Sequence, residues 1–420
     1  MNAVSKKKVL YVCRLFNGLE TSIRTKEWKP TGVPTIYKMI EELNSSDLYD
    51  LNLLVTSKNN QPDWESGLIN KMEIFGLKSM VTVLSSFSSR YGKVGTIAQE
   101  LFHIAYIVLK VLFGRYDILY IDNANIFSAA VVARIRLTSV LFRVMGVYPA
   151  MRNAISGRRI SDFVLRYCYK SPFSAVVCTQ DGSGVEPWLD TAINKNTKIY
   201  TLINGVDYYK CTKSEKDDLC NKYDIPKDKF LVLYIGKMEK IKGIYEFIEG
   251  FSIANNNLQG RAHAIVIGCG NQYNYIEEKM NNNTSITLID RVPHYDICKF
   301  HDVSDIYISP NRLANLTNAN LEAMKAGNCI VIPRSQSETF VDVITDKLLD
   351  DTAVYRIPFP PTCINISRAI RTLFHSPKKR KLLSKNVVSQ SSKFISSWKN
   401  RINNELQIIA RTLDESNKNF

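Results

Sequence analysis

Lys237 and Lys242 flank a glycine-bearing loop in the stretch VLYIGKMEKIKGIYEFIEGF, Val232 to Phe251. An apolar run ends at Gly236, a basic turn follows, and a helix is expected from about Gly243. Glycine admits close backbone approach and two ammonium groups neutralise charge, so the pattern suits a diphosphate. Two solvated lysines on a surface loop would have the same spacing. A second turn, Gly268-Cys269-Gly270, closes another apolar run, and by itself it signals only a tight turn. A third run leads into Asp290-Arg291-Val292-Pro293. A fourth stretch, NRLANLTNANLEAMKAGNCIVIP, reads as loop, helix and strand. Asn315, Thr317 and Asn318 there have helix-start chemistry, which leaves first-turn N–H groups, that of Ala319 included, facing outward. Glu322 lies about one turn further on. A carboxylate so placed can accept hydrogen bonds from paired ribose hydroxyls, although a surface glutamate is the commoner fate of this residue type.

These residues need a frame that brings four loops to one edge. Short apolar, β-branched runs recur along the chain. In the first half they are Val9–Cys13, Leu51–Thr56, Asp117–Ile121, Val140–Met145, Ala175–Cys178 and Lys198–Leu202. In the second half they are Phe230–Ile235, Ala262–Ile267, Ser285–Ile289, Asp305–Ser309, Cys329–Ile332 and Ala353–Ile357. Segments of helical character separate most of them. Such runs bury both faces and belong to parallel sheets covered by helices, so the class is α/β, doubly wound. At 420 residues two domains are expected. The polar, turn-rich stretch from Ile203 to Asp228 marks the joint. This gives domains at 1–205 and 206–385, with 386–420 as a helical segment that has the option of packing back on the N-terminal domain. Two open α/β domains facing each other create a cleft at their strand C-termini, where ligands bind.

Composition excludes several classes. The nine cysteines include no C-x-x-C pair and no zinc-like spacing, which points to a reduced, cytoplasmic compartment. The N-terminus, MNAVSKKKVLYVCRLF, reads as a first strand rather than a signal peptide. The run Leu101–Phe113 carries His103 and Lys110 and is expected to be a buried or interfacial helix rather than a membrane span. Lysine and arginine outnumber acids 55 to 40, a net charge of +15. Nucleic acid, an anionic membrane surface or phosphorylated small molecules would each answer that charge. No nucleic-acid-binding motif supports the first.

Taken as a set, the four stretches resemble the retaining GT-B-fold glycosyltransferases of family 4. That family's G-R-x-x-x-x-K-G appears as Gly236-Lys237-Met238-Glu239-Lys240-Ile241-Lys242-Gly243. Its strand-ending G-x-G corresponds to Gly268–Gly270, and its G-x-V-P to Asp290–Pro293. The E-x7-E motif and the A-M-x-x-G after it end here in Glu322-Ala323-Met324-Lys325-Ala326-Gly327. Ile203-Asn204-Gly205-Val206-Asp207 resembles the family's interdomain P-N-G-V-D. The resemblance covers about 198–335. Three residues depart from it: Lys237 replaces an arginine, Asp290 a glycine, and Ala314 the first motif acid. Asn315 or Asn318 stands where that acid's sugar or phosphate contact is expected.

The resemblance implies transfer from a nucleotide-diphosphate sugar, UDP- or GDP-linked, with retention, without a metal, a cofactor or a protein nucleophile. Lys237, Lys242 and Glu322 are the implied catalytic set. Gly236, Asn315, Thr317, Asn318 and Ala319 would line the diphosphate and sugar, and Gly268, Arg291 and Val292 the base, with Glu322 on the ribose. The acceptor side is implied near Thr31-Gly32-Val33-Pro34 and Arg152. Met145-Gly146 stands where the family has His-Gly, so no catalytic histidine carries over. A saccharide or lipid-linked saccharide acceptor fits polysaccharide biosynthesis, in the cytoplasm or peripherally on the inner membrane face. The stretch from Val132 to Lys170, rich in arginine and apolar residues, would dock an anionic membrane surface, with Arg152, Arg158 and Arg159 as candidates for an anionic acceptor or a lipid head group. Ordinary helix-surface bases are the plain alternative. Two other functions remain open on these residues: a non-catalytic nucleotide-sugar-binding subunit and a nucleotide-sugar 2-epimerase.

Overall fold

A computed structural model describes residues 6–58, 67–87, 91–280 and 284–418. The N-terminal residues 1–5 and the last two, 419–420, lie outside the described residues. The chain forms two compact units: 1–179 with 186–202 and 399–420, and 180–185 with 203–398.

The first unit is built on strands β1 (Lys7–Arg14), β2 (Tyr49–Thr56), β3 (Ile69–Met72), β4 (Val81–Leu84), β5 (Ile118–Asp122), β6 (Ser139–Val144), β7 (Ala175–Thr179) and β8 (Lys198–Leu202). Among the described residues they form one sheet in the order β3-β4-β2-β1-β5-β6-β7-β8, parallel except for β3 against β4. Helices α1 (Asn17–Thr25), α2 (Pro34–Ser45), α3 (Gly92–Gly114), α4 (Ile126–Ile135), α5 (Pro149–Ser156), α6 (Ile160–Tyr169) and α7 (Val185–Ala192) connect them. Parallel neighbours need a crossover, and the helices supply it.

The second unit begins with α8 (Lys213–Lys222) and continues through β9 (Phe230–Ile235), α9 (Ile244–Asn257), β10 (Ala262–Ile267), α10 (Tyr273–Met280), β11 (Ile286–Ile289), α11 (Ile297–Val303) and β12 (Ile306–Ile308). Next come α12 (Asn318–Ala326), β13 (Cys329–Pro333), α13 (Val343–Leu348), β14 (Tyr355–Ile357), α14 (Cys363–Phe374) and α15 (Pro377–Ser391). The sheet runs β11-β10-β9-β12-β13-β14, all parallel. Strand alternation fills a core on each face. Phe230, Val232 and Tyr234 join one, with Phe247 and Ile370. Leu231 and Leu233 join the other, with Leu321 and Met324. Burial of both faces is why these strands read as unbroken apolar runs.

All twelve expected runs are strands. The two short strands β3 and β4 were not anticipated. β3 is the polar edge segment INKM, partly exposed throughout, and β4 is only four residues long. From Asn386 onward the chain is two helices rather than one, α15 ending at Ser391 and α16 running Trp398–Lys418.

Candidate functional site

Because the second sheet is wholly parallel, its strand C-termini share one edge. Strand order reverses between β9 and β12, the place where open α/β sheets receive ligands. The loop after β9 carries Gly236, Lys237 and Lys242, and the loop after β12 carries Asn315 and Thr317. Two glycines let these loops close on one another. Gly268, after β10, has φ +144°, and a Cβ there would meet the Gly236 carbonyl. Gly243, with φ +73°, lies so close to the Pro310 carbonyl that a side chain is excluded. Met238 N–H donates to the Cys269 carbonyl at 2.9 Å and clamps the β9 and β10 turns together.

The two lysines differ. Lys237 is 74% exposed, and its ammonium stands 3.9 Å from Glu239. Lys242 closes a one-turn helix, Lys240–Lys242, just ahead of α9, and is half-buried. Burial pushes its pKa down; Asp181 and Glu239 counteract this, and Lys237 adds to it. Asp181 comes from the turn Gln180-Asp181-Gly182-Ser183-Gly184, which belongs to the second unit. Its carbonyl accepts the Leu316 N–H at 2.8 Å, and its carboxylate accepts the Ser183 N–H at 2.9 Å. Burial raises the Asp181 pKa, partly offset by Ser183 and Lys242.

The asparagines between β12 and α12 chiefly hold the loop. Asn315 is fully buried, and its Nδ2 donates to Asp342 Oδ2 at 2.6 Å while its own N–H donates to Oδ1 at 2.7 Å. Asn320, also fully buried, donates to the Asn315 carbonyl at 3.1 Å and accepts from the Tyr307 hydroxyl at 2.8 Å. Asn311 donates to the Ala314 carbonyl. Asn318 instead accepts from Asn204 Nδ2 at 2.7 Å. Thr317 is the N-cap residue of α12, but its hydroxyl turns to Asn320 Oδ1 at 3.2 Å, so no side chain caps the first turn. The N–H groups at 318 and 319 therefore start the helix without a side-chain acceptor, at the end where its dipole carries roughly half a positive charge.

Asp342 pins this loop from beneath. Burial raises its pKa to about 6, against the pull of Thr345, Asn315 and Arg356. An acid raised on folding stabilises the native state fully below its unfolded pKa, and that contribution is lost as pH rises through the folded value. The thermal midpoint of the second unit is therefore expected to fall between pH 4 and pH 6 by this contribution. Asp342→Asn should flatten that slope; an equally steep slope in the variant would remove Asp342 as its source.

Glu322, on α12, is met by His294, whose Nε2 lies 2.8 Å from Oε1. His294 follows directly on Asp290–Pro293, so the loop after β11 and the first turns of α12 converge at this carboxylate. Arg291 is exposed, with Asp290 3.8 Å away, and Val292 packs on the adjacent core. The second unit thus brings together Gly236, Lys237, Lys242, Gly268, Arg291, Val292, Thr317, Asn318, Ala319 and Glu322 along one edge, with Asn315 packed beneath. In the first unit, Gly32 precedes α2 with φ +93°, and Arg152 lies on α5. Between α5 and α6 a cavity of about 690 Å³ is lined by Asn153, Gly157, Arg158, Arg159 and Asp162.

Sequence reasoning missed four residues. Asp181 had a signal, since its glycine- and serine-rich turn follows an expected strand. His294 and Asp342 had none; their importance lies in what they touch. Gly18, at the start of α1, was also unforeseen: a side chain there would collide with Thr31, the residue before Gly32.

Residues 215–389 match the family model described as Glycosyl transferases group 1. Comparison with curated proteins gives no match. Among solved structures, sucrose-phosphate synthase from Thermosynechococcus elongatus aligns with a TM-score of 0.68 at 12% identity, covering 98% of this chain and 100% of that one. HepE from Anabaena in complex with UDP-glucose aligns at 0.64 and 15%, covering 97% and 99%. WaaG, a glycosyltransferase involved in lipopolysaccharide biosynthesis, aligns at 0.64 and 12%, covering 95% and 99%. These likenesses establish the fold as the GT-B type, two α/β units each on a parallel sheet. Together with the family match they support glycosyl transfer in general.

Proposed function

We propose that the chain transfers a sugar from a UDP- or GDP-linked donor to a saccharide or lipid-linked saccharide, with retention. The observation that carries this reading is the edge at the β9/β12 reversal: two lysines, an uncapped helix N-terminus and a carboxylate one helical turn beyond. Lys237, Lys242 and the N–H groups at 318 and 319 hold the diphosphate as negative charge develops on it. The bond from the anomeric carbon to the diphosphate breaks, and the acceptor oxygen bonds to the same face of that carbon. The hydroxyl proton passes to the departing diphosphate oxygen, so no protein nucleophile is needed. Arg291 and Val292 border the base.

Glu322 holds the ribose by exchanging its contact with His294 for the two hydroxyls. Asn315 serves this site through the shape of its loop, because its amide is engaged by Asp342. Asp181 brings a carboxylate beside the loop that carries Ala314, where the resemblance expected an acid.

A panel of nucleotide sugars, assayed by heat of binding and by transfer to saccharide acceptors, tests the reading. Glu322→Gln is expected to raise the donor KM about tenfold with kcat little changed, since hydrogen bonds to a charged group are weakened. An unaltered donor KM would count against the ribose role. Ala314 favours one competing reading, a subunit that binds nucleotide sugar without turnover, and binding with no transfer to any acceptor would identify it. Turnover of donor without acceptor would instead identify an epimerase.

A further inference from the structure

We propose that the helical layer of α3, α4 and α6 in the first unit is a docking face for an anionic phospholipid bilayer, with α3 lying in the interface. α3 is the one helix among the described residues long and apolar enough to cross a membrane by length and composition. It cannot do so here, because it is the crossover from β4 to β5 of one sheet and its inner face is tied to that sheet. Gln99 donates to the Ser57 carbonyl at 3.3 Å and accepts the Phe87 N–H at 2.9 Å. His103, wholly buried, meets the Ser85 carbonyl at 3.1 Å.

Among the described residues, the outer face of α3 has no such partners. Val94, Ile97, Leu101, Leu109, Leu112 and Phe113 are all at least half exposed, Phe113 by 77%. At 23 residues the helix is about 35 Å long, so the stripe is extended. α4 packs on β5 and β6 and against both α3 and α6. α6 repeats the pattern, exposing Ile160, Phe163, Val164 and Tyr167 at the i, i+3, i+4, i+7 spacing of one helical face. Two apolar stripes therefore open from a single layer, an exposure that soluble surfaces seldom keep without a partner.

Charge selects the occupant. Lys93, Arg115, Arg136, Arg158 and Arg159 are exposed at the ends of these helices. The helices α3 to α6 carry two acids, and both are engaged: Glu100 with Lys58 at 2.6 Å, and Asp162 with the Arg159 N–H at 3.0 Å. A second copy of this face would set like charges against each other. A bilayer containing anionic lipid satisfies both features, with apolar side chains in the acyl boundary and bases among the phosphates. Arg158 and Arg159 also line the cavity between α5 and α6, next to the α6 stripe. The proposal stands apart from the transferase reading, because vesicle binding reads the first unit and nucleotide binding reads the second.

The test is co-sedimentation of the full chain with phosphatidylcholine vesicles, with and without phosphatidylglycerol. Wild type should pellet with the anionic vesicles, far less with phosphatidylcholine alone, and less as salt rises. Leu101→Ser/Leu112→Ser/Phe113→Ser should lower the partition coefficient at least about tenfold, and Lys93→Gln/Arg115→Gln by a similar factor. Circular dichroism and the thermal unfolding midpoint of both variants should match wild type, showing that the first unit folds in each. Equal pelleting of wild type and the triple variant, or no pelleting with anionic vesicles, overturns the proposal. So does a concentration-dependent dimer in sedimentation velocity that the triple variant abolishes.

Discussion

Lys242→Ala is expected to lower transfer turnover by about a hundred- to a thousandfold, the loss seen when one preorganised charge-stabilising donor is removed. The larger effect belongs to Lys242 rather than Lys237 because of burial. Lys237 is mostly exposed, so water replaces much of what its charge supplies, and Lys237→Ala should cost about tenfold. Lys242 is half-buried, and burial depresses its pKa against the opposing charges of Asp181 and Glu239. A diphosphate bound beside it adds negative charge and holds the proton on, so the ammonium is strongest as the leaving group departs. Lys242→Arg keeps the charge with a different reach and should recover only part of the rate. Asp181→Asn removes the charge that raises the Lys242 pKa, so the basic limb of the pH–rate profile should move to lower pH. Wild-type turnover in Lys242→Ala would refute the diphosphate assignment; an unmoved basic limb in Asp181→Asn would separate Asp181 from it.

The edge that holds these residues was largely legible in the sequence. Three of its four loops follow strands buried on both faces, β9, β10 and β12, and the fourth follows the half-buried edge strand β11; all four announce themselves as apolar runs. The order of the loops carried the resemblance. What stayed hidden depends on contacts between distant positions. Nothing in ANLTNANLEAM says that Asn315 and Asn320 face inward, since amides look equally at home in a solvated loop. Their burial follows from Asp342, far along the chain, which gives Asn315 two acceptors. His294 reads as a loop histidine until α12 brings Glu322 within 2.8 Å of it. The edge strand β3 escaped for the opposite reason: pairing on one side only, it can stay polar, and polar alternation over four residues is indistinguishable from a loop.

The same limit applies to α16. WKNRINNELQIIARTLDESNK reads as a polar terminal helix, yet Glu405 and Arg401 are among its most buried residues. Glu405 lies 3.7 Å from the Arg143 guanidinium and also contacts Arg401 and the Tyr120 hydroxyl. Arg143 donates to Thr179 Oγ1 at 2.7 Å, and the Tyr120 ring stacks on Tyr11 with centroids 4.6 Å apart. One carboxylate thus compensates two buried guanidiniums. Glu405→Gln is expected to lower the unfolding free energy by about 3–5 kcal/mol, because it leaves both charges buried and uncompensated. Urea unfolding followed by circular dichroism would read it.

Burial alone would raise the Glu405 pKa, but Arg143 and Arg401 outweigh that and hold it below the usual glutamate range. Its contribution is therefore present above the unfolded glutamate pKa and is lost as pH falls through the lower folded value. Wild type should lose stability steeply in acid, and Glu405→Gln should lose less. Arg401→Met gives the decisive comparison. It removes one cation and leaves the Arg143–Glu405 pair intact, so its cost should be smaller than that of Glu405→Gln. The reverse order would mean that Glu405 is not the group compensating the two guanidiniums, leaving α16 held by the burial of Ile402, Ile408, Ile409 and Leu413.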